Sequence, residues 1–310
     1  MINNKKPVEL LNENTRAVYH QQHIRQGEDE VTRKRLMAIT TEEFFQVDPG
    51  FFKGKKVLDA GCGSIARNAI AFYQMGSRDV MAMDLGNEWF TTAQKNMKRY
   101  AVPTEGITLI NGNVSELPFK SGVFDFVCCD GVLPHLADDS QVEKTIQELG
   151  RVTKPSGYLF VSYLGGGGLI ETKIHNGARE YYKESPEFAA FIDNIKPTML
   201  HDIVDFAAHN VSIHNEETLN MDFIKSLLDE DLCIAIQNLL QAQRREHHRQ
   251  EYVNGLLKIE GFTYPKLLKR YVKRKNIRKF VAPFHYNFEH PFSKLLYGDG
   301  WIDCIVQKRG

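Results

Sequence analysis

From Lys56 onward the chain alternates short apolar runs with amphipathic stretches: Val57-Leu58, Val80-Met81-Ala82-Met83, Thr108-Leu109-Ile110, Phe124 to Cys129 and Tyr158 to Ser162. Runs of this kind, separated by roughly 20 to 30 residues of mostly helical pattern, read as the strands of βαβ units and hence as a parallel sheet. Residues 8–47 mix charged and apolar positions at helical spacing, and Asp48-Pro49-Gly50 stops them with turn chemistry, which predicts a helical N-terminal arm over 1–50. After Ser162 the strand pattern ceases. Gly165 to Gly168 opens a long segment without a strand signal, and Leu232 to Val253 carries its clearest helical spacing: Leu232, Ile236, Leu239 and Leu240 lie near one face, with Arg244, Arg245 and Glu246 beyond. Strand signals return over Ile277 to Tyr286 and, after Gly298-Asp299-Gly300, over Trp301 to Val306. The expected architecture is α/β: a doubly wound, mostly parallel sheet built from 51–164 and 261–310, an antiparallel C-terminal strand, and 165–260 inserted as helices.

Composition narrows the class without changing this picture. A chain of 310 residues can bury a full core. Its 39 basic and 39 acidic side chains cancel, so no global charge argues for a nucleic-acid or membrane partner. Five cysteines, none in a C-x-x-C pair, build no zinc or redox motif. The polar start, Met1 to Lys6, leads into no apolar segment, and no later stretch is long enough to span a bilayer; a cytoplasmic location is expected. One basic run stands out, Lys266, Lys269, Arg270, Lys273, Arg274, Lys275, Arg278 and Lys279. It reads either as a docking surface for RNA, a carrier or an acidic substrate, or as the outer face of a helix packed through Leu267, Leu268, Tyr271 and Val272.

The chemistry concentrates after the first strand. Gly61 and Gly63 lie between an apolar strand and a predicted helix over Ala66 to Met75, where glycine lets backbone approach a ligand. Asp84, about 20 residues on, ends the second strand, where a carboxylate can accept hydrogen bonds from ribose hydroxyls.

Several segments in order resemble the class I S-adenosylmethionine-dependent methyltransferases, particularly the branch acting on small molecules and quinones. Val57-Leu58-Asp59-Ala60-Gly61-Cys62-Gly63 is similar to the family's first motif and Met83-Asp84-Leu85 to its second. Asn111-Gly112-Asn113-Val114-Ser115-Glu116-Leu117-Pro118-Phe119 resembles the adenine-side segment, and Phe124 to Val127 with Cys129-Asp130-Gly131-Val132-Leu133-Pro134-His135-Leu136 the fourth-strand motif. Glu148 to Gly157 resembles the turn into the fifth strand. The resemblance implies a seven-stranded sheet. S-adenosylmethionine would be held by Asp59, Ala60, Gly61, Cys62, Gly63, Asp84, Leu85, Asn113, Val114, Asp130 and Gly131. It places Asp59 near the sulfonium, Asp84 on the ribose, and Asn113 and Val114 at the adenine.

Two positions depart from the family pattern. Ile65 stands where a third glycine is usual, and Asn113 where aspartate is commoner. No Asp/Asn-Pro-Pro-Tyr/Phe motif follows the fourth strand, so a small-molecule acceptor is expected and nucleic acid is not. Asp130 and His135 are the candidate catalytic residues; His135 serves either as a base or as a residue packed on the next helix. The expectation is methyl transfer to an oxygen or nitrogen, with 165–260 as a lid. Macromolecular methylation and a catalytically inactive binding protein are the alternatives. Within the insertion, His201, Asp205 and His209 share one helix face, as a metal or relay site or as a solvated surface; no metal is expected. Tyr163, Tyr181 and Tyr182 either close an acceptor pocket or pack in a core.

Overall fold

The structure, a computed structural model, describes residues 7–210, 220–241, 247–270, 275–282 and 290–310. One sheet runs in the order β3-β2-β1-β4-β5-β7-β6, with β1 Lys56–Ala60, β2 Asp79–Asp84, β3 Ile107–Asn111, β4 Phe124–Asp130, β5 Thr153–Leu164, β6 Lys266–Leu268 and β7 Trp301–Gln307. Strands β1 to β5 are parallel, and β7 lies antiparallel between β5 and β6. The order reverses at β1 and β4, so their C-terminal ends open the crevice where ligands bind in such sheets.

Period-two alternation divides the strand side chains between two cores. Val57, Val80, Phe126 and Phe160 face one way; Leu58, Val127 and Leu159 face the other. Both faces are covered, which is why the strands read as unbroken apolar runs. On the first face lie α3 Glu42–Phe45, α4 Arg67–Gln74 and α5 Phe90–Arg99. There Phe45, Phe52 and Phe72 meet Phe126 with ring centroids 5.0 to 5.4 Å apart, edge-on or tilted. On the second face, α6 Asp139–Val152 and α12 Gln250–Ile259 bury Val142, Ile146, Leu149, Val253 and Leu257.

Ahead of α3 come α1 Pro7–Glu28 and α2 Glu30–Met37. They are separated by Asp29, whose extended backbone breaks the helix and whose carboxylate accepts from the Thr32 N–H. Between β5 and β6 come a π-helical turn, Ile170–His175, and α7 Asn176–Glu184, α8 Pro186–Asp193, α9 Pro197–Asn210, α10 Met221–Ser226, α11 Glu230–Leu240 and α12. Among the described residues no helix is long and apolar enough to cross a membrane.

Three expected elements differ. The helical stretch expected over Leu232 to Val253 ends at Leu240 and resumes at Gln250; Arg244, Arg245 and Glu246 lie outside the described residues. In place of a strand over Ile277 to Tyr286, Ile277–Lys279 form a 3₁₀ turn capped by Asn276, and 283–286 lie outside the described residues. The sixth strand is instead Lys266–Leu268, which the sequence presents as part of the basic run. It is three residues long, charged and at the sheet edge, a combination that blunts edge pairing with other chains.

Candidate cofactor site

The turn after β1 hangs on the end of β2. The Met83 carbonyl accepts from the N–H groups of Gly61 at 2.8 Å and Cys62 at 3.0 Å. Asp84 accepts from Gly63 N–H at 2.7 Å through Oδ2 and from Leu85 N–H at 2.7 Å through Oδ1. Burial raises the Asp84 pKa against these two bonds. Gly61 and Gly63 have φ of 77° and 65°, in the left-handed region where a side chain is strained. The adenine-side loop is adjacent, because Asp84 pairs with Asn111 in the sheet. Its Asn113 Oδ1 accepts from Ser115 N–H at 2.9 Å, and Val114 packs into the core.

Asp59, which the resemblance places near the sulfonium, also holds the start of α4. It is fully buried beneath the turn, where Oδ2 accepts from Ala69 N–H at 3.0 Å. Ala66 caps α4 without a side-chain acceptor, so Asp59 supplies that acceptor from the neighbouring strand. Its Oδ1 is buried without a partner. Burial pushes the carboxyl up to about 7, with Arg67 opposing and Asp130 and Asp84 adding. A raised folded pKa means that this group's stabilising contribution is complete below about pH 4 and is lost as pH rises through about 7. Urea unfolding of the wild type is therefore expected to lose stability between about pH 4 and 7 relative to Asp59→Asn; parallel profiles would contradict this.

The departure at Ile65 also has a structural reason. The left-handed position moves to Ala66, with φ 46°, and the Ile65 side chain is buried against Gly27 at the end of α1, where a Cβ would lie 3.0 Å from Cγ2. A glycine at position 65 would leave α1 without this contact.

At the end of β4, Asp130 is the centre of a buried charge network and is not placed as a free base. Arg67 pairs with its Oδ2, Arg270 with Oδ1 at 3.1 Å, and the Ser162 hydroxyl donates to Oδ1 at 2.6 Å. Burial alone would raise its pKa, but Arg270 and Arg67 hold it well below the usual carboxylate range. Arg270 also pairs with Asp303 at 2.6 Å. The same serine accepts from Gly131 N–H at 2.7 Å, fixing the loop that follows. Arg270 and Arg278, the latter paired with Asp231, turn inward from the basic run. Tyr271, Val272, Lys273 and Arg274 lie outside the described residues.

The residues that sequence reasoning missed come from α1. Tyr19 OH lies 3.0 Å from His135 Nε2. His20 Nδ1 lies 2.8 Å from Ser64 Oγ, and His23 Nδ1 accepts from Ser64 N–H at 3.0 Å. Arg16 pairs with Glu88 at 2.6 Å. Burial, Arg67 and His20 push the His23 imidazole down to about 4, which keeps Nδ1 available as an acceptor. The signal was present: positions 16, 19, 20 and 23 follow the i, i+3, i+4, i+7 spacing of one helix face. Between these side chains and the turn remains a cavity of about 40 Å³, lined by Tyr19, His20, His23, Gly63, Ser64 and Asp84. The groups of the seat fit a nucleoside-bearing amino acid such as S-adenosylmethionine: the Asp84 carboxylate at the strand end can accept further bonds beside that from Gly63 N–H, and the Ser64 N–H, bonded to His23 here, is a second backbone donor. The seat's volume does not, while α1 lies across it.

Other candidates resolve locally. Tyr163 is fully buried in the core. Tyr181 is exposed beside Phe188, and Tyr182 donates to Asp193 at 2.6 Å. His201 bonds the Lys225 carbonyl at 3.0 Å, Asp205 pairs with Lys225 at 2.6 Å, and His209 bonds the Asp205 carbonyl at 2.7 Å. No cluster of His, Cys, Asp and Glu among the described residues is arranged to hold a metal.

Comparison with known proteins agrees with this geometry. Residues 58–161 match a family described as a methyltransferase domain. An uncharacterized protein of Methanocaldococcus jannaschii is 30% identical over 135 residues, covering 43% of this chain and 52% of that one. The demethylmenaquinone methyltransferase of Lysinibacillus sphaericus is 32% identical over 105 residues, 34% of this chain and 42% of that one. The chain thus spans about half the length of these relatives. A chain from the complex of the Haloferax volcanii Trm112 methyltransferase activator superposes with a TM-score of 0.50 at 13% identity, over 97% of this chain and 98% of that one, a likeness of fold. The match, the sheet order and the glycine turn seated against Asp84 together identify residues 58–161 as a methyltransferase domain with the class I S-adenosylmethionine-dependent fold.

Proposed function

We propose that the protein transfers a methyl group from S-adenosylmethionine to an oxygen or nitrogen of a small-molecule acceptor. The observation that carries this reading is the bond from Gly63 N–H to Asp84, which sets a backbone donor and a ribose-binding carboxylate 2.7 Å apart at the sheet's switch point. The cofactor supplies an already activated methyl group, so the residues around it have to bind, orient the acceptor and exclude water. Gly61, Gly63, Asp84 and Leu85 would hold the aminoacyl and ribose parts, with Asn113 and Val114 near the base and Asp130 and Gly131 shaping the methyl end through their own network.

The helices of 165–260 act as a lid in this reading. Their return segment is fixed to the strand ends by His248, whose N–H donates to the Leu164 carbonyl at 2.9 Å and whose Nε2 lies 3.2 Å from the Leu133 carbonyl. His135, whose ring meets Tyr19 OH at 3.0 Å, remains the residue proposed to take a proton from an acceptor that arrives protonated. The quinone in the name of the Lysinibacillus sphaericus relative supports a small acceptor. The inward commitment of Arg270 and Arg278 breaks the continuity of the basic run and favours a small molecule over a docked macromolecule.

Calorimetry with S-adenosylhomocysteine tests the reading. Asp84→Ala removes a charged acceptor, worth about 1.5–3 kcal/mol, and is expected to weaken binding about 10- to 100-fold. Absence of wild-type binding, or an unchanged affinity in the variant, would count decisively against it.

A further inference from the structure

We propose that Tyr19, His20 and His23 are part of the cofactor site as a retractable roof: docked, α1 fills the seat, and cofactor is admitted when α1 withdraws toward the lid helices. This rests on the cofactor reading above. Pockets for ligands of this size measure roughly 300–1,000 Å³, against about 40 Å³ under docked α1. The roof also occupies the seat chemically. His23 Nδ1 takes the Ser64 N–H, and His20 takes the Ser64 hydroxyl. The turn is shaped around this contact, since a Cβ on Gly63 would lie 2.7 Å from His23 Cε1.

The opposite face of α1 provides the room to move. There a cavity of about 640 Å³ lies between α1 and helices α7, α8 and α11, lined by Val18, Gln21, Gln22, Arg25, Tyr182 and Gln241 among others. Gln22 is 3% exposed, yet its Oε1 has no partner, although its Nε2 donates to Gln241 Oε1 at 3.1 Å. Arg25, paired with Glu230 at 2.5 Å, and Gln22 tether this face to α11, and beside these tethers the cavity gives the helix a second place to sit, reached by tilting about the extended Asp29 between α1 and α2. Docked α1 lowers apparent cofactor affinity by the fraction of molecules in which the seat is open.

Two variants of the full chain push this equilibrium in opposite directions. His23→Ala removes the bond to Ser64 and is expected to tighten S-adenosylhomocysteine binding about tenfold in calorimetry. Gln21→Trp fills the cavity behind α1 and is expected to weaken it about tenfold. Hydrogen exchange at the Ser64 amide supplies a readout independent of affinity: protected in the wild type, faster in His23→Ala. Measurable binding that is unchanged in both variants, or weaker in a folded His23→Ala, overturns the roof alone. Absence of binding by the wild type and both variants overturns the cofactor reading and the roof with it. If His23→Ala does not fold, Gln21→Trp decides, and unchanged affinity in that variant overturns the proposal.

Discussion

Asp130→Ala is expected to destabilise the protein by about 3–5 kcal/mol, because it leaves Arg67 and Arg270 buried around a missing carboxylate. The Arg67, Arg270 and Asp130 side chains are 14%, 9% and 7% exposed, so solvent cannot replace the lost partner. Asp303 still neutralises Arg270, which places the expected loss toward the lower end for that arginine and leaves Arg67 as the main source. The double variant with Arg67→Met removes the stranded charge and is expected to be more stable than the sum of the single losses predicts. Urea unfolding of the four proteins measures this coupling directly; strict additivity would show that the network contributes nothing as a unit. Because the Asp130 pKa is depressed, its contribution is complete above about pH 4 and is lost as pH falls through the lower folded value.

Gly61→Ala is the second large effect. A Cβ there would lie 2.3 Å from Val132 Cγ2, and the backbone φ of 77° strains any residue other than glycine. Left-handed backbone costs an L-residue roughly 1–2 kcal/mol and overpacking about 1–3, so a loss of about 2–4 kcal/mol is expected in urea unfolding. Adding Val132→Ala removes the steric part and leaves the backbone part. A double variant no better than additive would place the whole cost in φ.

The parallel strands were legible because the central ones are buried on both faces and therefore carry continuous apolar stretches, as Phe126 to Cys129 does. The glycine turn and Asp84 were legible because their spacing follows from one βαβ unit. β6 was not: with Lys266, Lys269 and Arg270 in and beside three residues of strand, its composition is that of a solvated helix, and only its pairing with Ile305, Cys304 and Asp303 reveals it. The motif places Asp59 beside the ligand, but its bond to the start of α4 was not legible, because the local need of that helix for an acceptor depends on the conformation of Ala66. The spacing of Arg16, Tyr19, His20 and His23 marks one helix face but not what that face meets. Their partners, Glu88, His135 and Ser64, lie far along the chain, and no local pattern specifies contacts across that separation.

The position of β7 has a consequence for how the sheet is completed. β7 is the last strand in sequence yet lies between β5 and β6, pairing with both. Until residues 301–307 have left the ribosome, β5 presents an unsatisfied ladder edge and β6 has no strand to join. The parallel half can assemble before these residues are made, but the sheet cannot close without them. Truncation before Trp301 is therefore expected to yield an aggregating chain with an open β5 edge, and not a smaller soluble domain.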